Sequence, residues 1–176
     1  MGQYYQIYIK NENVKMITEP NGGYKMIEFS HFGAPVISEL CFQIEQAPSY
    51  VLTVGDFAEK KDCRNDKALE LYQEYMSLSP IAKNPTFDEF KFKGKACICY
   101  ELGEYIDFDE YEEEDTYFPI TILTAIGNGK GGGDYGPTKT EKKLVGSWCG
   151  YHIQIIKKDS IDLSKFKDIG VQFFYE

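Results

Sequence analysis

Six glycines, Gly127, Gly129, Gly131, Gly132, Gly133 and Gly136, fall within the ten-residue stretch GNGKGGGDYG. Consecutive amides without side chains can close around an anion, and Lys130, Lys139, Lys142 and Lys143 bring positive charge close by. The pattern therefore suggests a nucleotide or phosphate ligand, contacted by Gly129, Lys130, Gly131, Gly132, Gly133, Asp134 and Tyr135. Gly127, Gly129 and Gly132 also satisfy G-x-G-x-x-G. That fingerprint needs a helix to begin directly after it, and Gly136 and Pro137 oppose one. A Walker loop fails too, because Lys130 precedes Gly131 rather than Ser or Thr. A weaker anion nest survives, beside the plain alternative of a long hairpin loop that needs positive φ.

A second pattern is electrostatic. Positions 101–115 carry nine acids and no base, so the other 19 acids balance the 19 lysines and arginines and the net charge of -9 sits in one segment. In ELGEYIDFDEYEEEDTYF these acids are interleaved with Tyr105, Phe108, Tyr111 and Tyr117. Carboxylates on an aromatic scaffold can dock on a basic protein surface, with long-range attraction that weakens as salt rises. The contacts expected are Glu110, Tyr111, Glu112, Glu113, Glu114 and Asp115. The competing readings are a solvated loop and an oxygen-ligand cation site, which lacks the glycine-turned loop of an EF-hand. Arg64 is the only arginine, and no basic patch exists, which argues against direct nucleic-acid binding.

Five cysteines and two histidines complete the reactive inventory. Cys97, Cys99, Cys149 and His152 would make a Cys3His zinc set if brought together, though C-x-C is not the usual knuckle spacing. Cys149 with His152, or Cys41 with His31, would make a nucleophile and base only with a third orienting group. Buried, reduced cysteines are the simpler expectation, so no catalytic residue, metal or cofactor is assigned.

The elements that must position these groups follow from periodicity. Residues 4–10, 14–18 and 24–29 read as a three-stranded antiparallel start joined by NEN and PNGG turns. APVISELCFQIEQAP reads as an amphipathic helix with Pro35 in its first turn. YVLTVGD is a short buried strand, and Asn65 caps a second helix whose Leu69, Tyr72 and Met76 line one side. ACICYEL and YIDFDEY form a hairpin around Gly103, PITILTAI is a continuous apolar strand, and KLVGSW, YHIQIIKK and VQFFYE are strand-like. The sum is one α+β domain over 1–176: a mostly antiparallel sheet with two or three packed helices. The absence of a long apolar run or signal layout points to a cytoplasmic protein without a membrane partner.

MGQYY at the start, ICYELGEYIDF in the middle, and LTAIGNGKGGGDY followed by VGSW resemble a family of small uncharacterised proteins of Gram-positive and gut bacteria and their phages or mobile elements. These proteins open with MGQYY and carry GNGxGGGDY. The resemblance implies an association with mobile elements and transfers no site residue. Together the readings favour a non-enzymatic acidic binding protein, an anti-defence inhibitor of a host complex in its sharpest form. Nucleotide or phosphate binding by 127–136 is the alternative. A small nucleotide-acting enzyme resting on Asp134 or His152 is the third.

Overall fold

The computed structural model describes residues 1–20, 24–80, 88–111, 116–170 and 172–174. Within them the chain forms an α+β fold of two four-stranded sheets and four α-helices. The first sheet starts with β1 (Tyr5–Lys10) and β2 (Lys15–Thr18), which pair antiparallel with Tyr8 opposite Ile17. The third strand expected at 24–29 is instead a one-turn helix, α1 (Met26–Phe29). Met26 and Phe29 are buried three residues apart, which is helical spacing, and the Glu28 carboxylate accepts the Lys25 amide at 2.8 Å to cap the turn. The edge of β1 is taken by β3 (Tyr50–Gly55), in a six-residue antiparallel ladder.

Between them lies α2 (Pro35–Gln46), which buries Val36, Ile37, Leu40, Cys41 and Ile44 as its period requires. Next comes α3 (Asp66–Met76), capped by Asn65, whose side chain accepts the Ala68 amide at 2.7 Å. Its inward face is Ala68, Leu71 and Tyr72; Met76 is 64% exposed, so the stripe is rotated from the one expected. The period-2 alternation of the first sheet sets this layering. Tyr5, Ile7 and Ile9 face the main core, while Tyr8, Ile17 and Leu52 face a smaller core beneath α3.

The second sheet contains β4 (Lys95–Cys99) and β5 (Glu104–Asp107), the expected hairpin, with Gly103 at φ 63° in its turn. PITILTAI does not form one strand. Pro119 opens α4 (Pro119–Leu123), the Thr124 hydroxyl donates to the Ile120 carbonyl, and only β6 (Ala125–Ile126) joins the first sheet, parallel to β3. A continuous apolar run is compatible with either conformation, and the proline and the threonine back-bond favour the helix. KLVGSW is a series of turns whose Gly146 and Trp148 amides donate to the Ile122 and Leu123 carbonyls, which satisfies the end of α4. Ile153–Lys157 is β7, paired with β4, and Lys167–Asp168 is β8, parallel to β5. Of the last expected strand, the described part makes a single bridge between Phe174 and Thr116. Both sheets are therefore mixed: β2-β1-β3-β6 and β7-β4-β5-β8, each with a two-residue parallel ladder at one edge. An aromatic cluster of Phe32, Phe92, Phe108 and Phe118 fills the main core with largely edge-to-face contacts at centroid distances of 4.9–6.1 Å.

Candidate functional site

The glycine loop folds onto the N-terminus. Gly2 and Gly132 form a parallel bridge, and the Gln3 amide donates to the Gly132 carbonyl. A Cβ on Gly131 would stand 2.7 Å from the Gln3 nitrogen, and Gly127 combines φ 85° with an equally close Ala58. Glycine at these two positions is required by close approach and by a left-handed backbone. The Gln3 side chain enters the loop fully buried, its Nε2 donating to the Gly127 carbonyl at 2.8 Å and to Asp134 Oδ2 at 2.6 Å.

The amides do form an anion nest, and the anion in it belongs to the chain. Asp134 Oδ2 also accepts from the amides of Gly129, Lys130 and Gly131 at 2.8, 3.0 and 3.1 Å. An external phosphate would have to displace this carboxylate. Lys130 turns its ammonium the other way, to the Phe57 carbonyl, Glu59 and Asp62 at 3.2, 2.8 and 2.6 Å. These bonds raise the Lys130 pKa, and the ammoniums of Lys130 and Lys61 hold Glu59 down at about 2. Tyr135 is a core residue, 3% exposed, packed on Tyr117 and Phe173, with its hydroxyl on Glu141 at 2.5 Å. Its backbone is clamped twice by the Asn128 side chain. Burial, then the Asp134 charge, pushes the Tyr5 phenol above its ordinary range.

The acidic segment divides differently from the expectation. Glu101 accepts the backbone amide of His152 at 2.8 Å and meets its Nδ1 at 2.5 Å. Glu104 accepts the indole N–H of fully buried Trp148 at 2.8 Å. Asp107 and Asp109 share the Lys158 ammonium at 3.0 and 2.6 Å. Tyr111, expected at a partner surface, is 8% exposed and packs on Phe32. Exposed Glu110 lies in a different environment. Partial burial first, then the Asp168 and Asp107 carboxylates, raises its pKa. Glu112, Glu113, Glu114 and Asp115 lie outside the described residues.

The thiols serve as core. Cys41, Cys97, Cys99 and Cys149 are buried, and burial raises the pKa of each. Cys97 and Cys99 face the main core while Cys149 faces the smaller one, so the proposed zinc set is not assembled. Among the described residues no group of three His, Cys, Asp or Glu side chains is placed to hold a metal ion. The sole arginine is committed internally, its guanidinium bonded to the Lys142 and Lys143 carbonyls at 2.9 and 2.7 Å.

Sequence reasoning missed a cavity beside α1, bounded by Glu19, Tyr24 and Glu28. The alternating reading of 24–29 concealed it, although Met26 and Phe29 at i and i+3 were a usable signal for the helical turn. Among the described residues no helix is long and apolar enough to cross a membrane. No protein-family model, curated protein or solved structure matches this chain.

Proposed function

We propose that the protein is a non-enzymatic acidic binding protein, and that the corner formed by Glu110 and Asp168 docks on a basic protein surface. One observation carries this reading. The Glu110 carboxyl is exposed beside the Asp168 and Asp107 carboxylates, which the neighbouring Lys158 offsets only in part because its ammonium is divided between Asp107 and Asp109. A basic partner would relieve that repulsion, so charge complementarity here favours association as well as speeding encounter. In its finer form, resting on the resemblance of the MGQYY, ICYELGEYIDF and LTAIGNGKGGGDY stretches, the partner is a host defence complex and the protein a phage or mobile-element inhibitor. The nucleotide alternative draws no support from the loop geometry, because Asp134 occupies the nest.

The test is capture of binding proteins from bacterial lysate at low and high salt, with wild type and with Glu110→Gln/Asp168→Asn in parallel. A basic protein retained by wild type, released by salt and lost with the double variant is the expected result. Retention that ignores both salt and the substitutions refutes the reading.

A further inference from the structure

A cavity of about 320 Å³ opens between the end of β2, α1 and the start of α2. Its floor is mainly apolar, Phe29, Ala34 and Val36 being 2%, 3% and 6% exposed, and the buried Glu39 carboxylate, which accepts the Gln43 side-chain amide at 3.2 Å, also lines it. Its rim is an aromatic ring and two carboxylates, Tyr24, Glu19 and Glu28, all exposed. Each rim carboxylate is anchored through one oxygen. Glu28 Oε2 accepts the Lys25 amide at 2.8 Å, and Glu19 Oε2 accepts the Gln6 side-chain amide at 2.9 Å. Among the described residues each carboxylate is held at the mouth through this one oxygen. The described lining contains no lysine or arginine, and its one basic side chain is the His31 imidazole. The nearby Lys25 side chain lies instead across Gly2 and Gly133.

Those features select a ligand class. Fixed carboxylates attract a group that donates several hydrogen bonds and carries positive charge. An aromatic face at the mouth adds attraction for the same cation. The apolar floor needs a hydrophobic body to cover it, and the volume is at the lower end of small-molecule sites. A bare metal ion satisfies neither requirement, and no described cluster of metal ligands exists here. We propose that this cavity is a binding site for a small organic cation with an apolar body, an aryl or alkyl amidine, guanidine or amine, held by Glu19, Glu28 and Tyr24. The site is separate from the Glu110 corner and does not depend on it.

Benzamidine is a suitable probe, with neutral benzamide and anionic benzoate as near-isosteres. Calorimetry and amide shift mapping on the intact chain read binding and place it. Benzamidine binds saturably, at least about tenfold tighter than benzamide, and benzoate does not bind. Shifts centre on Tyr24, Glu28, Phe29 and Val36. Glu19→Gln/Glu28→Gln keeps both anchoring acceptors and the fold, and reduces affinity at least about tenfold. Glu110→Gln leaves it unchanged, so failure of the docking corner and failure of this site are distinguishable. Absence of saturable binding up to about 10 mM, equal affinity for benzamide, or an unaffected double variant overturns the assignment.

Discussion

Replacing Asp134 by alanine removes the acceptor on which Gln3 Nε2 and the amides of Gly129, Lys130 and Gly131 converge. The four bonds are not equal. Those from Gly129 and Lys130 are solvent-exposed, so water replaces the carboxylate there at small cost. Gln3 is fully buried and the Gly131 bond is partly so, and these two donors lose a charge-assisted partner. At roughly 1.5–3 kcal/mol for each hydrogen bond to a charged group, less what is recovered because Asp134 Oδ1 is itself buried without a hydrogen bond from the described residues, the net loss is about 2–4 kcal/mol. For a chain of this size that lowers Tm by roughly 4–16 °C. Asp134→Asn keeps one acceptor oxygen, loses the charge and puts an amide donor in place of the other oxygen, so its stability falls between wild type and alanine. Urea unfolding followed by circular dichroism measures the series. The vacated nest also makes the alanine variant responsive to formate, which at a hundred times its dissociation constant returns about 2.7 kcal/mol, while wild type gains nothing. An alanine variant within about 0.5 kcal/mol of wild type, a range typical of surface substitutions, refutes the argument that this loop is held closed by its own carboxylate.

Two other outcomes follow from the same geometry. Ellman's reagent added to native protein modifies only Cys63, slowly because burial and Asp62 raise its pKa, whereas denatured protein yields all five thiols; rapid native modification of several would contradict the burial of the other four. The folded pKa of Glu59, about 2, lies below its ordinary 4.5, so its ion pairs stabilise fully above 4.5 and that contribution is lost as pH falls toward 2. Carbon-detected titration of Glu59 should show this low value, and Lys130→Gln should return it upward; a wild-type value near 4.5 would rule the pairing out.

Local chemistry made much of this protein readable from its residues. Alternation identified β1, the NEN turn identified β2, a short apolar run identified β3, Pro35 and the 3.6-residue period identified α2, Asn65 identified the start of α3, and Gly103 identified the hairpin of β4 and β5. Each depends on neighbours within a few positions, where propensity and turn geometry act. Burial of Cys41, Cys97, Cys99 and Cys149 was foreseeable because cysteine behaves as a small apolar residue, while Cys63 is only half-buried. The failures came where a short apolar run suited two conformations. Residues 26–29 and 119–123 became helical turns because packing and capping bonds outweighed strand propensity. The sites lay furthest beyond local reading. Six closely spaced glycines announced an anion nest, but that the anion is Asp134 and that Gln3 enters from 131 residues away depends on bringing the chain terminus against the loop. Likewise the acids of 101–110 were visible as charge, while the partners they meet, Trp148, His152 and Lys158, and the placing of Glu110 beside Asp168 arose only when β5 met β8 and the turns before β7. Periodicity and turn chemistry act through covalent neighbours, whereas hydrogen-bond partners and like-charge repulsion act through space, and the tertiary fold alone sets those distances.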